Sequence, residues 1–335
     1  MNAITTERRI AIVSPFYNEG ENVRPFIARL TRALSDARID WQLICVNDGS
    51  SDDTLARLIA ARAAEPRIAI IDLSRNFGKE YAITAGLDFA DASAVILMDA
   101  DLQHPPEMIP QMIAKWLEGY EVVYMARRRR SDIGVVKRAA RRLFYFAFRT
   151  VSQVSLPPDA GDFRLLDASV VAAIREMPEQ TRFMKGIYHW VGFRQIGLPY
   201  DEEPRARGVS KYRPFRLVGF AFDGLTAFSN APLKLWSALG AAIASASVLY
   251  AAYRIVRTLL YGVDVPGYES LMVAISFLGG LQLLSLGVLG SYIGRIFDEV
   301  KGRPLYIVRR IYRAGEPAPA EREGRERDEA YPPAR

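Results

Sequence analysis

Short apolar runs alternate with amphipathic stretches along the first 127 residues. Arg9–Ser14 (Arg-Ile-Ala-Ile-Val-Ser) reads as a buried strand and Glu21–Leu34 as a helix. Gln42–Val46 is a strand, and Asp52–Ala64 a helix that Ser50 or Ser51 can cap. Ile68–Leu73, Val95–Met98 and Val122–Met125 read as further strands, with helices over Lys79–Phe89 and Pro106–Leu117 between them. Short apolar strands separated by helices of this length predict βαβ units and a mostly parallel sheet, an α/β fold. In such sheets ligands bind beyond the C-terminal ends of the strands. Those ends are Pro15–Glu19, Asn47–Asp52, Ser74–Lys79, Asp99–Asp101 and Arg127–Arg130. All five are polar, and their convergence is stronger evidence than any one of them.

The pattern changes downstream. Leu235–Tyr253 is 19 residues without a charge and Ser270–Gly294 is 25. At 1.5 Å per residue they extend roughly 28 and 37 Å, against a hydrocarbon core of about 30 Å, so both read as membrane spans. Lys211, Arg213, Arg216 and Lys234 flank the pair on one side, and Arg295, Lys301, Arg303, Arg309 and Arg310 on the other. This basic excess predicts both ends on the cytoplasmic side. Gly279, Gly280, Gly287 and Gly290 allow close helix packing; a homo-oligomer is left open. Between the α/β region and the first span, Phe215, Val218, Phe222 and Leu225 recur at helical spacing in Tyr212–Asn230, as in a helix lying on headgroups.

The expected organisation is therefore a catalytic domain over 1–211, an amphipathic juxtamembrane helix over 212–232, a two-helix hairpin over 233–296 and a C-terminal segment over 297–335, disordered from about residue 314. Net charge is +6 over 335 residues. The tail from Ala314 holds six acids and four arginines, −2, so the remainder carries +8. Such an excess suits nucleic acid, anionic lipid or a polyphosphate ligand. The single Cys45, inside an apolar strand, excludes an internal disulfide framework and a cysteine metal cluster. The polar start, Met1 to Arg9, predicts no signal peptide and a cytoplasmic soluble part.

The sharpest chemical signal is Ala94–Glu107, where an apolar run ends in Asp99 and Asp101, one residue apart. Like charges so close disfavour each other's ionisation unless a cation is present. Oxygen ligands favour Mg²⁺ or Mn²⁺, held by one or two carboxylates plus substrate phosphates, and Gln103 adds a carbonyl oxygen. Arg75, Lys79 and Arg127–Arg130 place cations on the same rim, with Arg127 favoured for phosphate because it follows its strand directly. No G-x-G-x-x-G follows the first strand and no G-x-x-x-x-G-K-[ST] occurs. His104 adjoins the acids as a supporting residue, and His189 reads as structural.

Pro15–Glu19, Val46–Asp52, Arg75–Lys79, Met98–Glu107, Gly161-Asp-Phe-Arg-Leu165 and Arg205–Tyr212 stand in the order seen in glycosyltransferase family 2. Over residues 9–310 the chain resembles the polyprenyl-phosphate glycosyltransferases of that family. The resemblance implies a GT-A nucleotide-sugar-binding fold and an inverting transfer from a nucleotide-diphosphate sugar to a polyprenyl phosphate. UDP-sugars and undecaprenyl phosphate lead as donor and acceptor, at the cytoplasmic face of the inner membrane. Transfer to another membrane lipid such as diacylglycerol, or a non-catalytic nucleotide-sugar-binding scaffold, are the alternatives.

Carried over by motif, Pro15, Tyr17, Glu19 and Asp48 would hold the nucleoside, with Lys79, Ala100 and Arg207 also at the substrate. Asp99, Asp101 and Gln103 would bind Mg²⁺ or Mn²⁺. Arg127, Ser210 and Lys211 would contact phosphates, and Asp162 and Arg164 would lie near the reacting centre. One departure is Asn47, where many relatives have Asp. The expected partners are the donor, the lipid acceptor and the bilayer, not nucleic acid.

Overall fold

The computed structural model describes residues 9–36, 39–127, 160–201, 231–261 and 267–315. Arg128–Arg130, Arg207, Ser210, Lys211, residues 212–230 of the juxtamembrane helix expected over 212–232, and the tail from residue 316 lie outside these residues.

Strand and helix alternate as the apolar pattern predicts. β1 (Ile10–Phe16), α1 (Gly20–Asp36), β2 (Trp41–Asn47), α2 (Thr54–Ala64), β3 (Ile68–Leu73), α3 (Lys79–Phe89) and β4 (Ala94–Leu97) follow in turn. The helix expected from Pro106 divides into a 3₁₀ turn, Pro106–Met108, and α4 (Ile109–Leu117). The second proline, Pro110, falls in the first turn of α4, where its missing N–H is harmless. β5 (Val122–Arg127) closes this half. Beyond it come elements that the periodicity leaves unread: β6 (Ala160–Asp167), α5 (Ala168–Arg175), α6 (Met184–Trp190) and β7 (Gln195–Tyr200). Two long helices follow, α7 (Ala231–Tyr261) and α8 (Tyr268–Lys301), and then β8 (Val308–Tyr312).

Among the described residues eight strands form one mixed, mostly parallel sheet in the order β7-β5-β6-β4-β1-β2-β3-β8. β2, β1 and β4 run parallel, and helices cover both faces, so Ile10, Ala11, Ile12 and Val13 are all buried. Gly86 of α3 lets helix and sheet meet closely: a Cβ there would stand 2.2 Å from a Val13 methyl. β6 enters antiparallel between β4 and β5, pairing Ala94 with Asp167 and Leu97 with Arg164. Continued by two residues, that register brings Asp162 alongside Asp99.

The chain divides into two compact units. The α/β unit contains the sheet together with Arg303–Gly315, so the segment after the long helices belongs to that sheet. Instead of trailing as an appendage, that segment pairs β8 antiparallel with β3. Tyr306 Oη donates to Asp88 at 2.8 Å, and Arg62 Nη2 donates to the Arg313 carbonyl at 2.5 Å.

Among the described residues the second unit consists of α7 and α8. α8 runs five residues past the expected Ile296 boundary and ends on Gly302, at φ 56°. Val273–Lys301 is long and apolar enough to cross a membrane, with an 18-residue stretch of mean hydropathy 1.9. α7 carries a shorter apolar stretch, Ala238–Tyr250. Leu249, Leu259, Val273 and Leu283 are exposed on these helices.

Candidate active site

The loops after β1 and β2 hold each other through short polar side chains. Asn18 N donates to Ser50 Oγ at 3.0 Å, and Asn18 Oδ1 accepts from Ser51 N at 2.8 Å. Glu19 N donates to Thr54 Oγ1, whose hydroxyl is anchored by Asp52. Asn18 takes a positive φ of 52°, which asparagine tolerates better than most residues. This turn presents Tyr17 at the surface and leaves Pro15 and Glu19 half-buried.

Asp48 is buried and organises the next loop. Its Oδ1 accepts from Phe77 N at 2.8 Å and its Oδ2 from Gly78 N at 3.0 Å. Burial pushes the carboxyl pKa up against the pull of these two N–H groups. Gly49 is required beside it. Its φ is 61°, and a Cβ would lie 2.3 Å from the backbone carbon of Arg75. Arg75 lays its guanidinium over the Phe77 ring at 4.1 Å.

Two further polar residues sit behind this loop. Asn47 Nδ2 donates to Asp72 Oδ1 at 2.7 Å, both side chains being buried. Asp72 escaped the reading of Ile68–Leu73 as a plain strand. An acid near the end of an apolar run was the available signal.

The loop leads into Lys79, the first residue of α3, which joins the two halves of the site. Lys79 Nζ contacts both oxygens of Asp99, at 2.7 and 2.8 Å, and Asp162 Oδ2 at 2.6 Å. The antiparallel insertion of β6 makes this possible by bringing Asp162 to Asp99. Burial opposes ionisation of Asp162, but the charges of Lys79 and Lys185 outweigh it and hold the carboxyl well below the usual carboxylate range. For Lys79, Asp162 and Asp99 outweigh burial and raise the ammonium well above its ordinary value. Next to this triad, burial followed by the charge of Asp162 lifts Glu80 to about 8. Glu80 and Lys185 were not among the sequence-derived candidates, and no motif marks them.

The turn carrying the acids is tightly specified. Leu102 adopts φ 63° and Asp101 Oδ1 accepts from Gln103 N at 3.1 Å. Asp101 and Ala100 are buried, whereas Asp99 keeps a quarter of its side chain exposed. His104 Nδ1 accepts from Asp99 N at 3.2 Å and its ring stacks on Phe163 at 5.0 Å. Burial keeps the imidazole pKa below normal, consistent with a neutral ring that accepts at Nδ1. His104 thus fixes the backbone of Asp99.

Arg164 is fully buried: its guanidinium lies 3.7 Å from the Tyr188 ring centroid and its Nη2 donates to Gly161 O at 2.6 Å. Arg127 is exposed at the end of β5.

The donor set fits a hard divalent cation shared with a substrate. Asp99 and Asp101 offer carboxylate oxygens and Gln103 an amide oxygen. Among the described residues no group of three or more His, Cys, Asp or Glu converges into a self-sufficient metal cage. A Mg²⁺ site completed by substrate phosphates needs no such cage. The Lys79 ammonium meanwhile supplies positive charge on Asp99.

The glycosyl transferase family 2 model matches residues 11–175, and the GtrB C-terminal hairpin model matches residues 231–296. The chain is 50% identical over 299 residues to an uncharacterized glycosyltransferase of Synechocystis, covering 89% of this chain and 94% of that one. It is 41% identical over 306 residues to the SfII prophage-derived bactoprenol glucosyl transferase of Shigella flexneri, covering 91% and 99%. A glycosyltransferase of Bacillus subtilis is 40% identical over 302 residues, covering 90% and 94%.

Proposed function

Because the chain belongs to glycosyltransferase family 2, we propose that it transfers a sugar, glucose first among candidates, from a UDP-sugar to a polyprenyl phosphate at the cytoplasmic face of a membrane. One observation carries the reading: a carboxylate-lined site at the ends of β4 and β6 shares its chain with a pair of long helices whose apolar side chains face outward. Relatives that match along the whole length and are named bactoprenol glucosyl transferases support the acceptor class.

In this reading Tyr17, Glu19 and Asp48 frame the nucleoside pocket, Asp48 by holding the Phe77–Gly78 backbone in place. Asp99, Asp101 and Gln103 would hold Mg²⁺ or Mn²⁺, which supplies Lewis-acid stabilisation to the departing diphosphate. Lys79 keeps Asp99 and Asp162 together. An acceptor phosphate monoester, with a second pKa of about 6, is largely dianionic at neutral pH and requires no strong general base. Asp162 then serves to orient Lys79 and the acceptor. Arg127, Arg207, Ser210 and Lys211 are assigned to the phosphates by motif. The helices α7 and α8 together form the membrane hairpin, with both chain ends cytoplasmic.

The test is a donor panel with purified protein, undecaprenyl phosphate and Mg²⁺ or Mn²⁺. Radiolabel from UDP-glucose is expected in extracted lipid, through a bond labile to mild acid. No transfer from any nucleotide sugar, or an acid-stable product on diacylglycerol, overturns the proposal.

A further inference from the structure

We propose that Arg309, on the strand that follows the long helices, is a positioning residue for the loop Ser74–Lys79. β8 pairs with β3 as Tyr312–Ile70, Ile311–Ile71 and Arg310–Asp72, and then the register shifts so that Val308 faces Leu73. Arg309 is the extra residue, left opposite no partner. Such bulges bend the strand and re-aim a side chain, and they concentrate at sheet edges and beside active sites. The burial pattern of β8 records the slip: Arg309 and Arg310 are both exposed where strict alternation would bury one.

The released side chain turns toward the end of β3. Arg309 Nη2 donates to the Ser74 carbonyl at 2.7 Å, and its Nη1 lies 3.9 Å from buried Asp72 Oδ2. Ser74 N donates in turn to the Ile307 carbonyl at 2.9 Å. Both backbone groups of Ser74 are therefore held by the segment that leaves α8. From Ser74 the chain runs through Arg75, packed on Gly49, and through Phe77 and Gly78, bonded to Asp48, to Lys79 on Asp99 and Asp162. Ser74 is the point at which this loop is fastened on the side away from Asp48. A guanidinium donating to a carbonyl is a charge-assisted bond, stronger than a neutral one.

The kinetic part of the inference rests on the donor-binding role proposed above, whereas the loop-positioning part does not. The experiment uses the full chain in detergent micelles and compares wild type, Arg309→Ala, Arg309→Lys and Arg310→Ala. Arg310 is the control, since it stays in register and lies over the Tyr312 ring. Hydrogen exchange without ligand should rise about tenfold in Arg309→Ala across Asn76–Lys79, the scale of one lost charge-assisted bond. Exchange in the central strands should not change. KM for UDP-glucose with Mn²⁺ should rise about three- to tenfold with kcat within about twofold. Arg309→Lys should recover most of both, and Arg310→Ala should match wild type. Loop exchange within twofold of wild type overturns the inference. So does a rise spread evenly along β3 and β8, which would mark Arg309 as an edge clip only, or a loss confined to kcat. If wild type transfers no sugar, the proposed function fails while the exchange data still decide the role of Arg309.

Discussion

Lys79 shows what one side chain does to this site. It bridges two carboxylates that arrive from different strands and would otherwise repel each other. Lys79→Met should lower turnover at least about 100-fold and cost about 1–2 kcal/mol of stability, less than a fully buried pair because Lys79 and Asp99 are partly exposed. Steady-state rates and denaturant unfolding in micelles measure both. The two classes of acid should separate. Asp101→Asn removes a metal-facing carboxylate and should reduce kcat at least about 100-fold, whereas Asp162→Asn, facing a dianionic acceptor, should reduce it about tenfold. Equal, complete loss in both would argue that Asp162 is the base. Gly49→Ala tests the backbone. A positive φ and a Cβ driven into Arg75 should cost about 1–3 kcal/mol and raise donor KM.

At the scale of elements, the order of the sheet assembles the site. β4 delivers Asp99, and β6, running the other way beside it, delivers Asp162. β8 covers the outer edge of β3 and becomes the edge itself, a short strand protected by the bulge at Arg309 and by the exposed Arg309 and Arg310. A chain ending at Gly302 should therefore aggregate and show a lower unfolding midpoint by light scattering and calorimetry, even though every residue of α7 and α8 is retained. An unchanged midpoint would mean that β8 is only decoration.

At the scale of the molecule, pH and metal give two global tests. Burial depresses His104 and also His189, the latter to about 4. The unfolded chain, with histidine near 6.5, binds more protons than the folded one below that pH. The contribution of the two neutral rings is thus complete above about pH 6.5 and is lost as the pH falls toward their lowered folded values. Glu80, whose carboxyl burial lifts to about 8, contributes with the opposite sign in the same window, so the histidine share is read by difference in thermal midpoints: His189→Phe should lose less stability than wild type as the pH falls from about 6.5 to about 4. Chelation by EDTA should abolish transfer, and Mg²⁺ or Mn²⁺ should restore it with little shift of the midpoint in the absence of donor, because Lys79 already pairs with Asp99 and no group of three or more His, Cys, Asp or Glu converges there among the described residues.

Local periodicity determined a good part of this protein by itself. β1 to β5 with their intervening helices follow from which positions are apolar, since burial on both faces of a parallel sheet demands continuous hydrophobic runs. The acids at Asp99 and Asp101 were legible because they end such a run, and α7 and α8 because uncharged segments of that length are rare. Only the tertiary structure decided the rest. β6 and β7 draw their stability from neighbours distant in sequence, and no local pattern states that Asp162 faces Asp99. The Lys79 bridge, the Asn47–Asp72 pair and the grip of Arg309 on Ser74 join residues 20 to 235 positions apart. Side-chain direction across strands is set by register and bulge, and register exists only once the strands have paired.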